Sequence, residues 1–195
     1  MPRNPREISP HGVYHFINRG VHKKQLFHSP ADYKRFLDLI DEYVRKLEIQ
    51  IYHYCLMPNH AHFLLKAEEI SKLSRLAHSV QRGYAHFYRK IYNWPGQVFQ
   101  RCFMSKPIHD DAYLLECGRY IERNPLTARL VEQLEIYPYS SYGFYAYGEP
   151  NRLVTSTPIY EDFSSNIIER RAAYRLYILQ SRPKNNEPES STLPF

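Results

Sequence analysis

The first half of the chain contains four segments in which apolar and polar residues alternate as they do in β-strands. These segments are rich in β-branched and aromatic side chains and cover residues 11–20, 50–57, 60–67 and 97–108. Pro58-Asn59 separates the second segment from the third and is a turn signal, so these two strands are predicted to form a hairpin.

Apolar residues at helical spacing predict helices between these strands. The first helix follows a variant capping box formed by Ser29 and Asp32, with Pro30 at the first helical position. A long second helix is predicted at about 70–92, because one apolar stripe runs along its whole length.

A third helix is predicted at about 111–123. Asp110 is expected to cap its beginning. Asn124-Pro125 is expected to end it, because the residue before a proline avoids the helical conformation. An aromatic, turn-rich stretch follows at 137–150, and a last helix is predicted at 165–180.

The order of the elements, β-α-β-β-α-β-α, predicts an α+β fold. The first six elements match the split βαβ, ferredoxin-like pattern, in which a four-stranded antiparallel sheet carries helices on one face. A C-terminal helical extension is expected beyond this unit. The polar, proline-containing segment 181–195 is expected to be disordered.

Composition narrows the classes of protein. No run of about 18 apolar residues occurs and no secretory signal opens the chain, so we expect a cytoplasmic protein without a membrane span. Cys55, Cys102 and Cys117 have no CxxC spacing, which indicates free thiols in a reducing compartment. A net charge of +6 and a pI of about 9.1 favour a polyanionic partner.

His60 and His62 stand at the head of the third predicted strand. Side chains of an extended strand alternate between faces, so the two imidazoles point the same way, while Ala61, Phe63 and Leu65 point toward a core. Two neutral imidazoles presented side by side could bind one metal ion. The alternative is that both are polar residues on the solvent face of a strand.

Two histidines leave a metal ion under-coordinated, and the third predicted helix offers further groups. Tyr120 and Asn124 are four residues apart, so they lie one turn apart and can reach the same point. The amide oxygen of Asn124 could bind a hard cation, and the phenol oxygen of Tyr120 could act as a nucleophile. The alternative is coincidence, because a chain with 18 tyrosines places many of them near polar residues.

Basic residues repeat along the second predicted helix. Arg75, Arg82 and Arg89 share one face, which indicates either contact with a phosphate backbone or a solvated surface. The other candidates for phosphate contact are Arg19, Lys23, Lys24, Arg101, Lys106, Arg119 and Arg123.

Blocks of sequence along residues 11–148 carry a resemblance to a known family. In chain order they are HFINRGVHKKQLF, MPNHAHFLLK, QRGYAHFYRKIYN, GQVFQRCFMSKPI, DDAYLLECGRYIERNPLTARLV and YPYSSY. Together they resemble the single-tyrosine HUH transposases, named for a His-hydrophobic-His motif, and among these the branch of REP-associated tyrosine transposases.

The resemblance implies residue roles and a reaction. The family's paired metal ligands fall on His60 and His62, its nucleophile on Tyr120, and its amide ligand, often a glutamine, on the shorter Asn124. It further implies a Mg²⁺ or Mn²⁺ ion and single-stranded DNA with a hairpin, such as a REP-like palindrome. The tyrosine would cut and rejoin this DNA through a covalent 5′-phosphotyrosine.

This interpretation divides the chain into a transposase-like catalytic domain at 1–148, an extension with a helix at 149–182 and a tail at 183–195. The protein is expected to act as a monomer or homodimer. Two alternatives stay open. One is a replication or relaxase-like nuclease with the same motif, and the other is a non-catalytic or domesticated module that binds nucleic-acid hairpins.

Overall fold

The computed structural model describes residues 7–100 and 103–180. Its sheet consists of β1 (Val13–Arg19), β2 (Gln50–Met57), β3 (His60–Lys66) and β4 (Met104–Pro107). Its α-helices are α1 (Pro30–Leu47), α2 (Ile70–Tyr92), α3 (Asp111–Thr127), α4 (Tyr142–Tyr147) and α5 (Ile167–Leu179).

The sheet has the strand order β2-β3-β1-β4, and every neighbouring pair is antiparallel. This is the order of the split βαβ pattern, so the predicted α+β, ferredoxin-like fold is confirmed. Met57 and His60 are cross-strand partners at the end of β2 and β3, which confirms the predicted hairpin around Pro58-Asn59.

Helices cover both faces of the sheet. α1 and α2 pack on the face that carries the inward residues Tyr14, Phe16 and Phe63, and together they form the largest apolar core. α3 packs on the other face, mainly against β2, where Leu64 and Ile121 belong to a second, smaller core. The face of β3 that carries His60 and His62 is therefore partly covered by α3 and is not fully open to solvent.

The predicted start of α1 is confirmed. The Asp32 carboxylate accepts hydrogen bonds from the backbone N–H groups of Ser29, at 2.8 Å, and His28, at 2.7 Å. The Tyr92 hydroxyl donates to the same carboxylate at 2.6 Å, which ties the end of α2 to the beginning of α1.

The fourth strand is shorter than predicted, because regular pairing with β1 is limited to Met104–Pro107. Residues 98–100 still run beside the end of β1. Val21 donates its N–H to the Val98 carbonyl at 3.0 Å, and Gln100 donates to the Arg19 carbonyl at 2.8 Å. Arg101 and Cys102, within the predicted strand, lie outside the described residues.

The predicted end of the third helix is wrong, since α3 continues through Pro125 to Thr127. Proline has no N–H, so the carbonyl four residues earlier, that of Ile121, loses its usual helical donor. The Asn124 amide Nδ2 donates to this carbonyl at 3.3 Å and to the Tyr120 carbonyl at 2.8 Å. The asparagine side chain thus replaces the missing backbone donor and allows the helix to continue.

The predicted last helix is confirmed as α5, which packs against α3 and α4. Tyr174 and Ile178 of α5 share a third apolar core with Tyr142 and Tyr145 of α4. Cys55 and Cys117 are buried free thiols. Within the described ranges, no helix is long and apolar enough to cross a membrane.

A fully buried carboxylate joins α3 to the sheet, to α5 and to the start of α4. Glu122 accepts hydrogen bonds from the Ser141 hydroxyl at 2.6 Å and the Tyr174 hydroxyl at 2.8 Å, and it pairs with His53 Nδ1 at 2.9 Å. Each of these partners comes from a different part of the chain.

Replacing Glu122 with alanine would leave several buried polar groups without a partner. We expect the free energy of unfolding to fall by about 3 kcal/mol, because each unsatisfied buried group costs about 1–3 kcal/mol. Urea denaturation followed by circular dichroism measures the change. Glu122→Gln keeps the shape and one acceptor oxygen, so it should lose less. Unchanged stability in Glu122→Ala would contradict the role of this carboxylate.

Candidate active site

The two histidines of the HUH motif lie side by side on β3. Their ring centroids are 4.8 Å apart, while Ala61 and Phe63 enter the core beneath α1 and α2. The predicted alternation of faces is therefore confirmed. His62 is buried and His60 is half-buried.

α3 brings Tyr120 to the histidines across the second face of the sheet. The Tyr120 ring lies edge-on to His62, with centroids 5.6 Å apart. Residues separated by 58 positions in sequence thus lie next to each other. Asn124 follows one turn later on the same helix, and the hydrogen bonds of its Nδ2 are with that helix. Its amide oxygen is the atom left for a ligand role.

His15 completes the group of rings, and sequence reasoning missed it. Its Nε2 lies 2.9 Å from His62 Nδ1, and its ring centroid is 5.9 Å from that of Tyr120. His15 is in β1, and its neighbours along the chain carry no sign of metal or nucleophile chemistry. Only the pairing of β1 with β3 places it beside His62, and that register is not visible in the sequence.

A hydrogen bond at Nδ1 orients each histidine of the motif. His60 Nδ1 lies 2.5 Å from Asn59 Oδ1, and Asn59 is itself fixed because its Nδ2 donates to the Lys23 carbonyl at 3.3 Å. His62 Nδ1 meets His15 instead. Metal-binding histidines commonly have this arrangement, with one ring nitrogen held by a partner and the other available.

The donor atoms fit a divalent metal ion. His62 Nε2 is buried and has no hydrogen-bond partner, and the bond at His60 Nδ1 leaves His60 Nε2 for a second ligand. No cluster of three or more histidine, cysteine or acidic side chains suited to a metal occurs at residues 7–100 and 103–180. Further ligands would have to be an amide such as Asn124, water or a substrate.

Burial keeps the imidazoles neutral. It lowers the pKa of His60 to about 4, helped by the positive charge of Arg19, and the pKa of His15 to about 3, helped by Lys106. It also holds the pKa of His62 well below its ordinary value. Neutral imidazole is the form that binds metals.

Cross-strand pairing brings two cations to the same face as the histidines. Arg19 is directly opposite His60, and Lys106 is directly opposite His15. Burial raises the pKa of the Tyr120 phenol, and the positive charge of Arg19 opposes this rise. The Arg19 Nε atom is buried and has no partner. The strands thus supply positive charge beside the histidines and Tyr120.

This chain matches the model of a known protein family. A family model described as "Transposase IS200 like" matches residues 9–124, which is more than half of the chain. The chain belongs to the IS200-like transposases. The resemblance drawn from the sequence is confirmed at this level, and the function is of transposase type.

Two solved structures were compared with this IS200-like transposase, and the first of them shares its fold. A REP-associated tyrosine transposase bound to a REP hairpin matches with a TM-score of 0.64 and 17% identity, over 80% of this chain and 93% of that one. A candidate transposase from Deinococcus radiodurans R1 matches with a TM-score of 0.43 and 14% identity, over 63% of this chain and 97% of that one. Comparison with curated proteins found no match.

Arg119 and Arg123, predicted to contact phosphate, are engaged with α5 of this transposase. Both guanidinium groups donate to carbonyls at its C-terminal end, Arg119 to Gln180 and Arg123 to Ile178. Arg119 is also buried and lies over the Tyr177 ring, at 5.1 Å. They line a cavity of about 160 Å³ together with Tyr120, so they lie close to this tyrosine while they also contact α5.

The arginines of α2 are exposed, and two of them line a basic groove between α1 and α2. The groove has a volume of about 500 Å³, and Arg35, His78, Arg82, His86 and Arg89 are among its lining residues. Arg75 is exposed one repeat earlier on the helix.

The loop after β1 holds two further predicted phosphate contacts. Lys23 is exposed. The Lys24 ammonium lies over the Trp94 ring, 3.1 Å from its centroid, so this cation is already stacked on an aromatic face.

The lowered histidine pKa values predict how stability depends on pH. Below pH 6.5 the unfolded chain protonates these histidines, whereas folded His60 stays neutral until about pH 4. Protons therefore favour the unfolded chain, and the free energy of unfolding should fall as the pH is lowered from about 6.5 to about 4. Urea denaturation without metal measures it. His60→Gln should flatten the dependence, and equal slopes for both proteins would contradict the assignment.

Proposed function

We propose that this transposase is a metal-dependent single-tyrosine endonuclease that cleaves and rejoins single-stranded DNA next to hairpins. The observation that carries the proposal is the position of the Tyr120 ring, 5.6 Å from the ring of His62, whose buried Nε2 has no partner. A nucleophile and an available metal-ligand atom thus face one small site. Mg²⁺ and Mn²⁺ are the ions suited to a phosphodiester substrate.

The reaction would be a transesterification. The Tyr120 phenol oxygen attacks the phosphorus, the bond from phosphorus to the 3′-oxygen breaks, and the phenol proton leaves while the 3′-oxygen gains one. The products are a 5′-phosphotyrosine and a free 3′-hydroxyl, so the bond energy is retained and rejoining is the reverse step. A divalent ion, when bound by His60, His62 and the Asn124 amide oxygen, would polarise the phosphodiester and stabilise the leaving oxygen.

Positive charge from the strands would support this step. Arg19 favours the ionised form of Tyr120, which is the more nucleophilic form, against the effect of burial. Arg19 and Lys106 lie on the histidine face of the sheet and would pair with phosphate oxygens of the substrate. The neutral histidines add no competing charge.

The hairpin partner is supported by a structural relative. A REP-associated tyrosine transposase with the same fold was solved with a REP hairpin. We call the three exposed arginines of α2 the basic stripe: Arg75, Arg82 and Arg89. This stripe would then contact the DNA backbone of such a hairpin, because evenly spaced guanidinium groups follow phosphates rather than bases. A non-catalytic module that binds hairpins would have the same surface. Formation of a covalent protein–DNA adduct, and not hairpin binding, therefore distinguishes the two functions.

Covalent capture tests the nucleophile. Incubation with labelled single-stranded DNA carrying a REP-like hairpin and Mn²⁺ should give a protein–DNA species that survives denaturant. Tyr120→Phe should abolish it, since the attacking oxygen is gone, while hairpin binding stays within about twofold. Tyr113→Phe is the matched control, because Tyr113 is half-buried on the same helix two turns earlier. It should form the adduct normally.

The same assay tests the metal and the rival function. Excess EDTA, His60→Ala and His62→Ala should each remove most of the adduct, and Asn124→Ala should remove less. Adduct formation by Tyr120→Phe, or full activity in EDTA, would overturn the proposal. Tight hairpin binding without any adduct in the unmodified protein would favour the non-catalytic module.

Salt dependence tests the basic stripe. Arg82→Ala should weaken binding about equally for the cognate hairpin and a scrambled one, and it should lower the slope of log K against log salt by about one unit. Arg45→Ala is the matched control on α1, since Arg45 is already paired with Asp41 at 2.8 Å. If the slope of log K against log salt is unchanged in Arg82→Ala, the stripe is a solvated helix face that does not contact the DNA.

A further inference from the structure

A histidine can bind a metal ion only through the nitrogen that carries no proton. A neutral imidazole has one such nitrogen, and the hydrogen bond at the other nitrogen decides which it is. For His60 the hydrogen-bond partner decides which nitrogen carries the proton, because Asn59 Oδ1 can only accept a hydrogen bond. His60 Nδ1 is therefore the N–H, and its Nε2 carries the lone pair.

For His62 the partner is another histidine, so two arrangements are possible. Either His62 Nδ1–H donates to His15 Nε2, or His15 Nε2–H donates to His62 Nδ1, across the same 2.9 Å. In the first arrangement, His62 presents a lone pair at its buried, unpartnered Nε2. In the second, it presents an N–H there, which no metal ion can use.

The surrounding charge favours the lone pair. Arg19 is opposite His60 in the sheet, and its positive charge acts on both His60 and His62. A cationic environment stabilises the negative end of a neutral imidazole, which is its lone pair, and disfavours an N–H directed the same way.

We propose that His15 is a positioning residue for the metal site, a role that rests on the proposed function. It accepts the Nδ1–H of His62, and so it directs the His62 Nε2 lone pair into the site. Its ring centroid lies 5.1 Å from that of His62, and its ring meets the Tyr120 ring edge-on. One side chain thereby sets both the tautomer of a ligand and its packing against the nucleophile.

Strand register makes this position specific. His15 is the direct cross-strand partner of Leu64, and His62 is that of Ile17, so the two imidazoles form a diagonal pair on one face. A slip of one residue between β1 and β3 would move His15 to the opposite face and end the contact.

Nitrogen NMR of the metal-free, full-length protein tests the tautomer. Long-range correlation of ring protons with ¹⁵N in histidine-labelled protein distinguishes a protonated Nδ1 from a protonated Nε2, and His62→Gln identifies the His62 signals. We expect His62 to carry its proton on Nδ1. His15→Leu should give mixed tautomers, while His15→Gln, whose amide oxygen can occupy the position of Nε2 and accept, should restore the original one.

Binding of Mn²⁺ alone, measured by calorimetry, gives a second readout. His15→Leu should weaken it about 10-fold or more, the usual effect of removing a partner of a metal-binding histidine, and His15→Gln should recover most of it. A proton on Nε2 of His62 in the unmodified protein overturns the proposal, whether or not the variants fold. So does a His15→Leu protein that matches the original in tautomer and affinity. Failure of the unmodified protein to form a DNA adduct would count against the proposed function and leave the tautomer result intact.

Discussion

The arrangement of this transposase depends on one buried carboxylate. Glu122 is removed from water, and a carboxylate in that position must be fully hydrogen-bonded or the fold loses several kcal/mol. Its partners are His53 on β2, Ser141 just before α4 and Tyr174 on α5. The Glu122 carboxylate is therefore fully hydrogen-bonded only when the sheet and the C-terminal third of the described chain both pack against α3.

The same contacts determine where Tyr120 lies. Tyr120 is two residues before Glu122 on α3, so the helix that is fixed by the buried carboxylate also carries the phenol. Close approach to the sheet is possible because Gly118 has no side chain, and a Cβ there would lie 2.8 Å from His53 Nε2. The histidines belong to the sheet and the tyrosine to the helix, and the Glu122 network sets the distance between them.

Local sequence patterns predicted much of this arrangement. The parts that they did not predict depend on contacts that a local pattern does not reveal. Some features belong to a single element and could be predicted from the sequence. These are the alternation of faces around His60 on β3 and the one-turn spacing of Tyr120 and Asn124 on α3. The end of α3 was mispredicted, because the rule for residues before proline does not consider a side chain that replaces the lost donor. His15 was missed because its role requires the register of β1 against β3, which depends on the whole core.

The distribution of charge places a geometric constraint on any DNA that is bound. Arg19 and Lys106 lie on the sheet face under α3, whereas the Arg82 and Arg89 stripe belongs to α2 on the opposite face. One phosphate cannot contact both sets. A second groove lined by these α2 arginines also includes residues 97–100, which run beside the end of β1. The second groove thus extends from the α2 arginines to the end of β1, where Arg19 is located.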